Sequence, residues 1–309
     1  MGYSFPSDTG LAIPLPDDAH SRPSTDGLMN ADSDDGSTIS DVAIHLRRLR
    51  AASSEKYSAA RALGEVLVGG HHPGAIARAA GITIAQQYVV MAITVHHSPT
   101  RPVSDQIATA ATADRIKHLE TALASTYGER ALPLLGPDGG TLVLADNDFD
   151  AQGPHDLFTF LVRNTGEPIT ATVVQATVSA IPRATDLAHD LLEIVQRLGY
   201  GARLYDFDDL VLEYQLTRPG QANERLRTLL SPILEHRDLV ETLRQHIANH
   251  FSRQATARAL HVHSNTIDYR LRRIKELTGM DPYQTTGLWY LQSALIAHTY
   301  HTAGPRISK

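Results

Sequence analysis

The chain of 309 residues has no cysteine. That absence excludes disulfides, thiolate nucleophiles, cysteine-ligated zinc and iron–sulfur clusters, and it fits a cytoplasmic protein. Long apolar runs are missing too. The longest, residues 88–95, is eight residues long, whereas a membrane span needs about 20. No basic segment leads into an apolar one near the first residue, so neither a secretory signal nor membrane work is expected. Charge is sparse, at 20% of residues, and the net value of -6 rules out a surface that is basic all over.

What charge there is divides unevenly. Residues 1–41 hold eight Asp and one Arg, whereas residues 241–279 hold six Arg and one Lys against three acids. The negative excess can therefore sit in the first segment, leaving a basic patch near the C-terminus. Such a patch suits a nucleic-acid partner, although an ordinary solvated face has the same composition. The length suits about two domains, and 42% apolar residues supply a sizeable core.

Along the chain, residues 1–38 are rich in Asp, Ser, Gly and Pro and read as a flexible acidic tail, too polar to offset ordering entropy. Residues 39–67 have helical spacing, and a short helix over 74–80 ends at Gly81. Residues 88–95 predict a central strand and 104–126 a long helix. Residues 132–135 and 141–144 predict strands around the turn 136–140, followed by strands at 157–162 and 172–179. A helix over 185–198 ends at Gly199, a last short strand covers 202–205, and 208–216 lead into another helix. The order predicts an α+β fold in which one mixed or antiparallel sheet carries helices on one side. The expected organisation is an acidic tail (1–38), an N-terminal helical segment (39–80), a sheet domain (81–216), a connector (217–235) and an all-helical C-terminal domain (236–303). Residues 1–60 look too short for a folded sensory module, and no internal repeat is visible.

The C-terminal helices carry the clearest pattern. Leu239, Val240, Leu243 and Ile247 form the apolar face of a helix over 238–249. Ser252 is placed to cap a short, Ala-rich helix over 253–260. After a break at 261–263, a third helix starts near Ser264, with His263 or Ser264 as its cap. Ile267, Leu271, Ile274 and Leu277 mark its buried stripe, and Gly279 ends it. Asn265, Asp268 or Tyr269, Arg272 and Glu276 follow one another on the opposite face, flanked by Thr266 and Arg273. A helix of this diameter fits a DNA major groove. There Asn265 pairs with adenine, Arg272 reaches guanine or phosphate, and Thr266 meets a thymine methyl or a phosphate. Tyr269 and Arg273 suit backbone contacts, as do Arg253 and Arg258 on the preceding helix. Asp268 can accept from cytosine yet repels a badly placed phosphate, and Ser264 completes the candidate DNA-binding set. The same helical pattern also occurs in domains that never meet DNA, where Asn265 is a cap and Arg272 a solvated side chain.

Other constellations are weaker. The adjacent pairs His71–His72 and His96–His97, and His246 with His250, lack the acidic companion of a metalloprotease pattern. Asp206, Asp208 and Asp209 read as a turn and a helix N-terminus, where acids are favoured. The glycine-rich pieces match neither a P-loop nor a dinucleotide fingerprint, and no serine sits in an elbow motif. No catalytic residue, cofactor or metal site is expected, and no cofactor-binding residues can be named. Trp289, Tyr290, Leu291, Leu295 and Ile296 mark a last amphipathic helix packed across the three-helix unit.

The stretch ATARALHVHSNTIDYRLRRIKELTGMDP closely resembles the C-terminal helix-turn-helix of the PucR/CdaR family of bacterial transcriptional regulators. The likeness extends upstream through LLSPILEHRDLVETLRQHIANHFSRQ and downstream through YLQSALIAHTY. More loosely, LGEVLVGGHHPGAIARAAGITIAQQYVVMAITV and LLEIVQRLGYGARLYDFDDLVLEYQL resemble the two ends of that family's degenerate GGDEF-like domain. The resemblance implies a DNA-binding regulator, often an activator, acting as a homodimer or higher oligomer. It implies double-stranded DNA, RNA polymerase and a small-molecule effector as partners. The family pattern falls on Asn265, Thr266, Tyr269, Arg270, Leu271, Arg273 and Ile274. This chain has Ser264 and Asp268 where the family commonly has Arg, which removes positive charge from the reading helix. Gly139–Gly140 is followed by Thr141 and Leu142 rather than acids, so cyclase chemistry is not expected. The alternative reading is a sensory or protein-interaction module whose helix-turn-helix does not bind DNA.

Overall fold

The computed structural model describes residues 55–97, 105–146 and 153–304. The acidic tail and the first part of the helix expected over 39–67 lie outside those residues. Helix α1 (Glu55–Val68) and helix α2 (Gly74–Ala80) lead into strand β1 (Gln87–Val95). Helix α3 (Asp105–Tyr127) is followed by the hairpin β2 (Ala131–Gly136) and β3 (Gly139–Ala145), helix α4 (Gly153–Thr165) and strand β4 (Ile169–Thr177). Helix α5 (Ile181–Leu198), the short strand β5 (Leu204–Tyr205) and helix α6 (Phe207–Thr217) complete this part.

The sheet runs β2-β3-β1-β4-β5. β1 pairs antiparallel with both β3 and β4, as Val90 opposite Val143 and Val174 shows, while β4 and β5 are parallel. The sheet is therefore mixed. β1 lies at its centre because its nearly unbroken apolar run has somewhere to go on each face. Tyr88, Val90 and Ala92 pack in a core with α1, α2 and α5. Val89, Met91 and Ile93 pack in a second core with Leu119 and Leu123 of α3 and Leu157 and Leu161 of α4. The expectation of helices on one side is thus corrected: both faces are covered, as a doubly apolar strand requires.

A second correction concerns residues 157–162, expected as a strand and found inside α4. Leu157 and Leu161, one turn apart, are fully buried, while Phe158, Phe160 and Val162 pack only partly against the same core. The helix opens on Gly153–Pro154, and proline is tolerated in a first turn. The β-like residue types of this short run hid its 3.6 period. The β2–β3 turn is tight. Gly136 pairs with Gly139, and a Cβ on Gly139 (φ 133°) would stand 1.9 Å from the Ile93 carbonyl oxygen of β1. Only glycine fits there.

Six further elements follow. Helix α7 (Gln221–Leu229) and a 3-10 turn (Ser231–Ile233) occupy the stretch read as a connector. Helices α8 (Arg237–Ala248), α9 (Arg253–Ala259), α10 (Ser264–Thr278) and α11 (Thr285–Thr302) come next. Their shared core contains Leu230, Ile233, Leu239, Leu243, Ala257, Ile267, Leu271, Ile274, Leu291 and Ala294. α11 also packs on α5, α6 and α7. No helix among the described residues is long and apolar enough to cross a membrane.

Candidate nucleic-acid interface

The α8–α9 corner is built by two consecutive non-glycine residues in the left-handed region, His250 (φ 51°) and Phe251 (φ 63°). Their conformation is held from inside. The Phe251 amide donates to the His246 carbonyl at 2.8 Å, and the Phe251 ring meets the His246 ring edge-on at 5.9 Å. His246 is buried, and its Nδ1 lies 3.3 Å from Thr256 Oγ1 on α9. Burial holds this imidazole below its ordinary pKa, so it serves as a neutral spacer between α8 and α9. Ser252 caps α9 by accepting from the Ala255 amide.

The α9–α10 turn is equally short. His261 takes φ 53°, the Val262 amide donates to the Ala257 carbonyl at 3.0 Å, and His263 is the N-cap of α10 through Nδ1, which accepts from the Asn265 amide at 3.2 Å. Of the two candidate caps, His263 therefore fills the role. Gly279 (φ 74°) closes the helix.

On α10, Ile267, Leu271 and Ile274 are fully buried. Asn265, Tyr269 (65% exposed), Arg272 and Arg273 face outward, whereas Ser264 and Thr266 are half-buried at the first turn. Arg273 pairs with Glu276 at 2.9 Å. Arg258, exposed on α9, donates from Nε to the Gln254 carbonyl. Arg270 turns inward: its Nε lies 3.3 Å from Asp238 and its Nη1 donates to Thr242 Oγ1 at 3.2 Å, tying α10 to α8.

Asp268 stands apart from the other candidates because both of its carboxylate oxygens are engaged. Arg253 Nη1 of α9 donates to Oδ2 at 2.8 Å, and Tyr283 Oη donates to Oδ1 at 3.1 Å. Tyr283 escaped the sequence reading: it is 56% exposed and lies beyond the helix-ending glycine, where periodicity is silent. Burial first, then the bond to Asp268, holds its phenol above the usual range. Trp289 (60% exposed) and Tyr290 also point outward from α11, while Leu291 and Leu295 pack inward as expected.

The remaining constellations resolve into ordinary structure. Asp206 and Asp209 form a capping box at the start of α6, and Arg203 pairs with Asp209 at 2.9 Å. His96 bonds to Thr170 Oγ1, and His97 to the Pro137 carbonyl. Among the described residues no three His, Asp or Glu side chains gather as a metal would require. A small, mainly apolar cavity, about 50 Å³, lies under α3 and α4, lined by Ile93, Leu135, Leu161 and Ile169 with Arg115 and Glu167 among its polar groups.

Two short helices, a tight turn, and a third helix with its polar side in solvent define a helix-turn-helix. The segment 239–297 matches the family described as PucR C-terminal helix-turn-helix domain, so the chain carries a domain of that type. Over 75 residues it is 39% identical to the uncharacterized protein YsfB of Bacillus subtilis (strain 168), a match covering 24% of this chain and 20% of that protein. Over 87 residues it is 40% identical to the carbohydrate diacid regulator of Escherichia coli (strain K12), covering 26% of this chain and 22% of the regulator. The matches thus span about a fifth of the length of these curated relatives. A crystal structure of a regulator of polyketide synthase expression from Bifidobacterium adolescentis matches over 83% of this chain and 98% of that one, at 18% identity and a TM-score of 0.38. That likeness is too slight to define a shared fold.

Proposed function

We propose that the chain is a sequence-specific, DNA-binding transcriptional regulator that reads the major groove with α10 and acts as a homo-oligomer. The observation that carries this reading is the division of α10 into a fully buried Ile267–Leu271–Ile274 stripe and an outward face of Asn265, Tyr269 and Arg272 that no part of the described chain covers. Asn265 is the adenine reader and Arg272 the guanine or phosphate contact; Tyr269, Arg273, Arg258 and Arg253 serve the backbone, and Ser264 and Thr266 flank the first turn. Two copies would present reading helices about 34 Å apart, one helical turn of DNA. The relative from Escherichia coli is a carbohydrate diacid regulator, which supports a regulatory role here.

The sheet module is proposed as a degenerate GGDEF-like scaffold for dimerisation and sensing. Its β2–β3 hairpin continues from Gly139–Gly140 into Thr141 and Leu142, with no carboxylate directly after the two glycines.

Footprinting of the purified protein on the DNA upstream of its own coding sequence tests this directly. Protection of a discrete site is expected, and Asn265→Ala with Arg272→Ala should abolish it while leaving the melting temperature unchanged. Failure to bind any duplex even at low salt, or a cellular effect on transcription that survives both substitutions, removes the reading.

A further inference from the structure

We infer that Arg253 and Tyr283 form a phosphate-binding site that the free protein fills with its own Asp268 carboxylate, so that Asp268 restrains non-specific binding to duplex DNA. The inference rests on the DNA-binding reading above and adds to it a regulating residue and a further phosphate ligand, Tyr283.

The donor set around Asp268 is that of a phosphate site. A guanidinium donates to one carboxylate oxygen at 2.8 Å and a phenol to the other at 3.1 Å. A second guanidinium, Arg272, donates from Nε to the Asp268 main-chain carbonyl at 3.3 Å and acts electrostatically on the Tyr283 phenol. Charged and hydroxyl donors from two elements thus converge on one anion, Arg253 from α9 and Tyr283 from the segment before α11, while Arg272 bonds only the main chain of Asp268. The side chain of Asp268 is only 21% exposed, whereas that of Arg253 is 50% exposed. The anion is therefore tucked beneath donors that still face solvent. Arg253 uses one of its five N–H groups on Asp268, so the others can meet a DNA phosphate only in the presence of a neighbouring negative charge.

The consequence is electrostatic. An arginine already neutralised by a carboxylate displaces little of the condensed counterion atmosphere of DNA, and its contact adds little to sequence-independent affinity. Base contacts from Asn265 and Arg272 are untouched, so the cluster lowers random binding more than specific binding. That is discrimination by an unfavourable element.

The test is fluorescence anisotropy of the full chain on a short random-sequence duplex across a salt series. Asp268→Asn keeps the shape and removes the charge. It is expected to bind roughly fivefold more tightly at a fixed salt, as loss of one unit charge near a phosphate in a water-like dielectric implies. The slope of log K against log salt should steepen by about 0.9, one extra phosphate. Arg253→Ala in the Asp268→Asn background should remove the gain, and Tyr283→Phe should remove part of it. Equal or weaker binding by Asp268→Asn with an unchanged slope, in a protein that melts like the parent, overturns the inference. Should Asp268→Asn fail to fold, Asp268→Ser, which also removes the charge, decides on the same terms: tighter binding with a steeper salt slope supports the inference, and equal or weaker binding with an unchanged slope overturns it. If the parent protein binds no duplex at low salt, the regulator reading falls and takes this one with it; parent binding with an unaltered Asp268→Asn sinks this one alone.

Discussion

Arg270 and Arg272 stand two positions apart and do opposite work. Arg272 faces solvent, where only a partner can use its guanidinium fully; Arg270 is spent on Asp238 and Thr242 of α8. Arg270→Met should therefore lower stability by about 1 kcal/mol, because a partly exposed ion pair and one hydrogen bond are lost. Thr242 Oγ1 still donates to the Asp238 carbonyl at 2.7 Å, so nothing buried is orphaned. Denaturant titration checks the loss, and affinity for duplex measured well below the melting temperature should stay put. His246 gives a second residue-level expectation. Burial depresses the pKa values of His189, His246 and His298 below the ordinary 6.5. The unfolded chain then binds more protons than the folded one below pH 6.5, so stability is full above that pH and falls on acidification towards the folded-state values. Melting curves between neutral and mildly acid pH should show this decline, and His246→Leu should flatten part of it. An unchanged slope in His246→Leu would mean that this ring is not one of the groups responsible. Periodicity alone exposes the outward face of α10. It does not reveal that Arg270 and Asp268 are engaged, because Asp238, Thr242, Arg253 and Tyr283 reach them only through the tertiary fold.

At the scale of elements, what was legible depended on how unambiguous each period was. α8 and α10 each carry an apolar stripe, and α9 and α10 each carry a side-chain cap, so their expected bounds differ from the observed ones by a residue or so. β1 was legible as a central strand, yet its all-apolar run also meant two covered faces, and only the packing of α1, α2 and α5 against α3 and α4 made that plain. Residues 157–162 misled because Leu, Phe and Val suit a strand in composition while Leu157 and Leu161 obey a helix in spacing. The β2–β3 hairpin was legible from its glycines, and it supplies the sharpest test of an element. Gly139→Ala forces a Cβ onto the β1 backbone in a left-handed conformation. The loss should exceed about 2 kcal/mol, or the sheet should not form. Gly166→Ala, also at positive φ (66°) but with open space around it, should cost only about 1 kcal/mol. Equal losses for the two would show that the turn is looser than its geometry.

For the molecule as a whole, the question is how the sheet module is joined to α10, which shares no core with it. The described contacts run through α11. Its inner side is packed with Leu291 and Ala294 in the helix-turn-helix core, and its far end meets α5, whose Ala184, Ala188 and Leu192 line the sheet. Arg197 of α5 sits at that junction. It donates to the Tyr300 carbonyl at 3.1 Å, lies 4.7 Å from the centre of the Tyr300 ring and pairs with Glu193 at 2.5 Å; Tyr300 Oη donates to Glu193 at 3.3 Å. A half-buried guanidinium held by a carbonyl, a carboxylate and an aromatic face is a rigid joint rather than a sliding surface. Arg197→Ala removes all three contacts while leaving both cores intact. The expected result in calorimetry is that unfolding, concerted in the parent, splits into two transitions as the modules lose their coupling. Duplex binding by the helix-turn-helix should persist, because α10 and its stripe are untouched. A single transition that merely shifts downward would place the coupling elsewhere, in the α6 and α7 contacts with α11.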